Sequence, residues 1–190
     1  MRLLIILWLS AIFSNSIAQH KDEREQRIKE TDVPAEILKE LEPYIKNLKV
    51  KYIYETDGDD SSYEAKFRSK SRQFSVEFDT LGSLEDVEIE MKYTLLSKEV
   101  KKNIAKYLSK SSSGYKILRC QKQYVHLEGK SSETLRHAIN NESHSPINYE
   151  LEVDLKMGSA LESYELLFDA SGNFIAKRVI VNRATDNLLY

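Results

Sequence analysis

Short runs of alternating apolar and polar residues fill the chain from Lys49 to Tyr93. "KVKYIYE" places Val50, Tyr52 and Tyr54 on one face, and "SYEAKFR" does the same with Tyr63, Ala65 and Phe67. "QFSVEFD" aligns Phe74, Val76 and Phe78, and "LEDVEIEMKY" aligns Val87, Ile89, Met91 and Tyr93. Period-two alternation through consecutive runs predicts antiparallel strands with one buried face. "TDGDDSS" is a turn cluster between the first two runs. A helical period precedes them: in "TDVPAEILKELEPYIKNL", Val33, Ile37, Leu41 and Tyr44 or Ile45 share a face. Asp32 reads as the N-cap and Pro34 as a first-turn residue, and Pro43 limits or kinks the end.

The same order recurs. "LLSKEVKKNIAKYLSK" carries Leu96, Val100, Ile104 and Tyr107, each offset by the same number of positions from Val33, Ile37, Leu41 and Tyr44, with Ser97 as N-cap. "YKILRCQKQYVHL" takes the place of the first strand, "NYELEVDL" matches "SYEAKFRS", and "SYELLFDASGNFIAKRVIV" matches "FSVEFDTLGSLEDVEIEM". The predicted fold class is therefore α+β: tandem αββββ repeats, one antiparallel sheet, and helices packed on one face. The first repeat is placed at 31–93 and the second at 94–182, with an inserted loop at about 127–146 and a tail at 183–190. The insertion, around "EGKSSETLRHAINNESHSP", reads as a mobile surface loop or as a partner-contacting loop; Ser131 or Ser132 could cap a short helix in it.

Each half contains Phe-Asp-x-x-Gly between two strands. Phe78 and Phe168 end strands with an inward aromatic ring. Asp79 and Asp169 are placed to accept hydrogen bonds from turn amides, and Gly82 and Gly172 to take the positive φ of a turn with a bulge. "DTLGS" and "DASGN" lack the further oxygen ligands of a calcium loop, so no metal is expected there.

The remaining composition narrows the compartment. Arg2 precedes the apolar run "LLIILWLSAIF", and "SNSIA" ends in small residues. That pattern predicts a signal peptide at 1–18, cut after Ala18, and so a periplasmic or secreted protein. The run is too short to span a bilayer, and no stable membrane insertion is expected after cleavage. Residues 19–30, "QHKDEREQRIKE", read as a charged flexible lead-in. The net charge is −2 at pH 7, and loss of Arg2 makes it −3, which argues against nucleic acid as a partner. Cys120 is the single cysteine, so no intramolecular disulfide can form; it reads as a space-filling thiol.

Taken in order, "VPAEILKELEPY", "SYEAKF", "VEFDTLG", "LLSKEVKKNIAKY", "NYELEV" and "LLFDASG" resemble the PepSY-like family of secreted, β-lactamase-inhibitor-like proteins. The match covers nearly all of 31–181. The resemblance implies tandem units in one curved sheet and export to a Gram-negative periplasm; the inhibitor label reflects fold and does not establish inhibition. PepSY-type modules are also associated with restraining peptidases. The inserted stretch after His126 departs from the pattern.

No nucleophile motif, P-loop or dinucleotide fingerprint is present. His126, His137 and His144 could be imagined as a zinc site, but their spacing supports surface histidines instead. No catalytic residue, metal or cofactor is expected, and the chain does not read as an enzyme. The candidate contact residues lie on the sheet face turned away from the helices: Glu64, Lys66 and Arg68 in the first unit, Glu150, Glu152 and Asp154 in the second. The leading expectation is a non-catalytic periplasmic binding module, with inhibition or regulation of a periplasmic enzyme as one form of it. It would dock an unknown periplasmic protein or peptide on this open face. A small-ligand or envelope-stress sensor and an uncharacterised hydrolase are the alternatives.

Overall fold

The computed structural model describes residues 19–21, 23–126, 129–142 and 146–181. The expected signal peptide and tail lie outside the described residues. Two short strands come first, β1 (Gln19–Lys21) and β2 (Glu23–Ile28), then helix α1 (Ala35–Ile45). Four strands follow: β3 (Val50–Asp57), β4 (Asp60–Ser69), β5 (Arg72–Asp79) and β6 (Leu84–Glu90). Helix α2 (Lys98–Ser111), strand β7 (Tyr115–Val125) and helix α3 (Ser131–Asn140) come next. β8 (Ile147–Met157), β9 (Ala160–Asp169) and β10 (Phe174–Ile180) complete the described chain.

All ten strands belong to one sheet, in the order β1-β10-β9-β8-β7-β6-β5-β4-β3-β2. Every pair from β2 to β10 is antiparallel, and β1 adds to β10 in parallel. The alternation read from the sequence decides the two faces. On the helix side, Tyr52 lies opposite Ala65, Ala65 opposite Val76, and Val76 opposite Val87. Ile37 and Leu41 of α1 pack there with Phe67, Phe74 and Phe78. Val100, Ile104 and Leu108 of α2 pack with Leu151, Leu166 and Phe168 in a second core on the same face. Each such aromatic or aliphatic side chain contributes about 1.5–3 kcal/mol on burial.

The helix starts follow local chemistry. Ser97 caps α2, its Oγ accepting from Val100 N at 3.2 Å. At α1 the expected cap is two positions too early: Asp32 sits in a 3-10 turn, and Pro34 holds the N-cap position. Pro43 is tolerated within the last turn, and the helix continues to Ile45.

Two segments differ from the expectations drawn from sequence. The inserted stretch contains α3, whose Leu135 and Ala138 are fully buried in the α1 core beside Tyr124. Tyr44 Oη of α1 donates to Ser132 O at 3.1 Å, and Arg72 Nη1 of β5 donates to Ala138 O at 3.4 Å. Packing against the sheet and α1 therefore stabilises this helix, which its own propensity would leave marginal. The charged lead-in is the other difference. Its residues form β1 and β2, pairing with β10 and β3 at opposite ends of the strand order.

The two ends of the sheet also meet through side chains. Arg178 of β10 contacts Glu23 of β2 at 3.4 Å and pairs with Asp57 of β3. The sheet is curled far enough for β10 to face β2 and β3, with the helices outside and the polar face inside. Register shifts in the β5–β6, β7–β8 and β9–β10 pairs supply local twist for that curl.

Candidate functional site

The inward polar face is the candidate site. Strand alternation places Glu64 and Lys66 of β4, Ser75 and Glu77 of β5, and Asp86 and Glu88 of β6 on it. Curvature brings these strands toward Glu25 of β2, Gln121 of β7, Glu150 of β8 and Arg178 of β10 around a polar cavity of about 140 Å³. Lys66 Nζ lies 2.8 Å from Glu25 Oε1 and 2.9 Å from Glu64 Oε2. Ser75 Oγ donates to the other oxygen of Glu64, and Gln121 Nε2 donates to Glu88. Gln123 Nε2 donates to Asp86 Oδ2 at 2.8 Å. Arg178 reaches Glu165 at 3.5 Å as well as the opposite end of the sheet.

Acidic groups outnumber basic ones around the cavity, and the titrations reflect it. Burial pushes the Asp86 carboxyl up to about 7; Gln123 opposes the shift, while Glu85, Glu64 and Glu165 reinforce it. Burial, followed by Asp86 and Glu88, holds Glu77 well above the usual carboxylate range. Burial disfavours the Lys66 ammonium, but Glu64 and Glu25 outweigh it and raise the group above its ordinary value.

The six sequence-derived candidates separate into two sets. Glu64, Lys66 and Glu150 line the cavity together. Glu64 is only 5% exposed, so the face is not bare at its centre: inward curvature and local ion pairing cover it. Arg68 is exposed at the rim. Glu152 pairs with Arg119 at 3.3 Å, and Asp154 accepts from Ser163 Oγ at 2.8 Å. Continuing the alternation through β5 and β6 would have added Glu77, Asp86 and Glu88. Glu23 and Glu25 left no comparable signal, because "QHKDEREQRIKE" carries one aliphatic residue and shows no clear period.

Other candidate chemistry resolves locally. Among the described residues, the one group with three His, Cys, Asp or Glu ligand atoms close together is Glu25, Glu55 and Glu64, within 4.8 Å of one another. Lys66 already supplies counter-charge to two of these. His137 is buried on α3 beside Arg136 and Glu142, and His144 lies outside the described residues. Cys120 is buried, which pushes its thiol up to about 12 and keeps it protonated near neutrality. The two Phe-Asp-x-x-Gly hairpins share one hydrogen-bond pattern. Asp79 Oδ1 accepts from Leu81 and Ser83 amides at 2.9 and 2.8 Å. Asp169 Oδ1 accepts from Ser171 and Asn173 amides, both at 2.8 Å. Both carboxylates are thus engaged by backbone.

No family model matches the chain, and no curated protein matches it. Solved structures do. A DUF2874 family protein from Bacteroides uniformis ATCC 8492 aligns at a TM-score of 0.52 and 17% identity, over 77% of this chain and 89% of that one. The chain shares the DUF2874 fold. A candidate periplasmic protein from Bacteroides eggerthii DSM 20697 aligns at a TM-score of 0.50 and 12% identity, covering 80% of this chain and 93% of its own. A BLIP-like protein from Bacteroides fragilis NCTC 9343 aligns at a TM-score of 0.49 and 17% identity, over 80% and 89% of the two chains. At these identities the DUF2874 likeness concerns architecture alone. Among the described residues, no helix is long and apolar enough to cross a membrane.

Proposed function

We propose that the chain is a non-catalytic binding module of the periplasm that captures a protein or peptide at the rim of its charged face. The observation that carries this reading is the division of that face. Its centre is a buried cavity rich in carboxylates, while exposed Arg68 and partly exposed Glu152 and Asp154 lie outside the cavity lining. Rim charges of this kind select partners and steer their approach. Restraint of an envelope enzyme is one form such capture could take.

Two further readings accompany it. The chain is built as two copies of one PepSY-like αββββ unit. The matching hairpin hydrogen bonds, and helices that each precede four strands with α3 inserted in the second set, support that duplication. The protein is exported by its N-terminal apolar run, a reading supported by that run and by the name of the B. eggerthii neighbour. A small-ligand sensor is the alternative that the polar cavity of about 140 Å³ favours.

Affinity capture from a periplasmic extract, followed by titration of the purified partner, tests the binding reading. Arg68→Glu combined with Glu152→Lys is expected to weaken the complex about tenfold or more, mostly at low salt. A purified complex of unchanged affinity would remove the rim from consideration.

A further inference from the structure

Glu64, Glu77 and Asp86 form one row across three adjacent strands. Glu64 lies directly opposite Glu77 in the β4–β5 register, and Glu77 directly opposite Asp86 in the β5–β6 register. Directly opposed Cα atoms are about 4.5–5.5 Å apart, and like charges at such positions repel. Glu64 is answered by Lys66 and Ser75. Asp86 has one oxygen bonded to Gln123, while its Oδ1 is buried and accepts no hydrogen bond. An orphaned buried carboxylate oxygen is costly, whereas a protonated one becomes a donor.

We propose that Glu77 and Asp86 hold a proton between them in the cavity, and that its loss loosens the curl of the sheet, beginning at β2. The surrounding charges make the proton's position consequential. β2 contributes Glu23 and Glu25, β3 Glu55, and β4 Glu64 with Lys66. β6 adds Glu88, β7 Arg119, β8 Glu150 and β10 Arg178; Glu165 of β9 bears on Asp86 from the far side, and Glu85 lies next to it in sequence. Of these, Lys66, Arg119 and Arg178 are basic. Lys66 and Arg178 are also the groups that hold β2, through Glu25 and Glu23. A third negative charge in the row, beside Glu64 and the one left on the pair, competes for the same two cations. β2 is a strand of polar residues held by its ladder to β3, by Ile28 at the apolar core and by these ion pairs, so it feels their loss directly.

The sign follows from the direction of the shifts. Both carboxyls titrate above their unfolded values, so the stabilisation is complete below the ordinary carboxyl range. It is lost as pH rises through the folded titration, about 7 for Asp86.

Carboxyl carbon NMR of the whole protein, with amide hydrogen exchange reported as protection factors, tests this without any partner. It therefore succeeds or fails separately from the binding reading. The expected result is that Glu77 titrates well above the usual carboxylate range and Asp86 near 7, and that protection of residues 23–28 falls about tenfold or more between pH 5 and pH 8. Asp86→Asn, which imitates the protonated acid, should abolish that fall. Should Asp86→Asn not fold, the wild-type titration still decides the matter. Ordinary carboxyl titration of both groups, or protection of residues 23–28 that does not change with pH in the wild type, overturns the proposal. So does an equal fall in folded Asp86→Asn.

Discussion

Gly172 and Gly158 both have positive φ, +81° and +64°, yet they differ in what surrounds them. A Cβ at Gly172 would lie 2.6 Å from the Val100 carbonyl oxygen, whereas one at Gly158 would meet open space. The second Phe-Asp-x-x-Gly hairpin thus needs its glycine twice: for the turn, and for the close approach of α2. Gly172→Ala is expected to destabilise the protein by about 3 kcal/mol, adding backbone displacement to left-handed strain; Gly158→Ala should cost about 1 kcal/mol. Urea unfolding of both variants measures the difference, and equal losses would mean that α2 does not pack on this turn. The turn role of this glycine was legible in the sequence. Its helix contact was not, because no local pattern reports a neighbour some 70 positions away.

At the scale of elements, alternation was a reliable guide wherever one face is apolar. β3, β4 and β5 carry their aromatic and aliphatic residues as read, and Ser97 caps α2. It failed where order comes from elsewhere. β2 has no apolar face to declare itself; its partners are the free edge of β3 and the cations Lys66 and Arg178. α3 is short and polar on its outer side, and it is held by Leu135 and Ala138 settling beside Tyr124. Leu135→Ala is accordingly expected to cost about 3 kcal/mol, within the usual range for a fully buried leucine. A mobile loop at the same place would lose less than about 0.5 kcal/mol. Thermal or denaturant unfolding separates the two outcomes.

At the scale of the molecule, curvature changes the meaning of the charged face. Alternation correctly assigned Glu64, Lys66 and Glu150 to the face away from the helices, but alternation is indifferent to whether that face is flat, open or folded inward. Bulges, the crossing of β1 and β2 between the sheet's ends, and the reach of Arg178 turn the face into a cavity. The binding reading consequently moves to the rim, and the proton held by Glu77 and Asp86 belongs to the interior. Both depend on the two ends of the sheet facing each other. Isotope-edited NOE spectroscopy of Arg178 measures this directly. Cross-peaks from its side chain to Glu23 and Asp57 are predicted; their absence, with contacts only to β9 and β1 neighbours, would contradict the curled sheet.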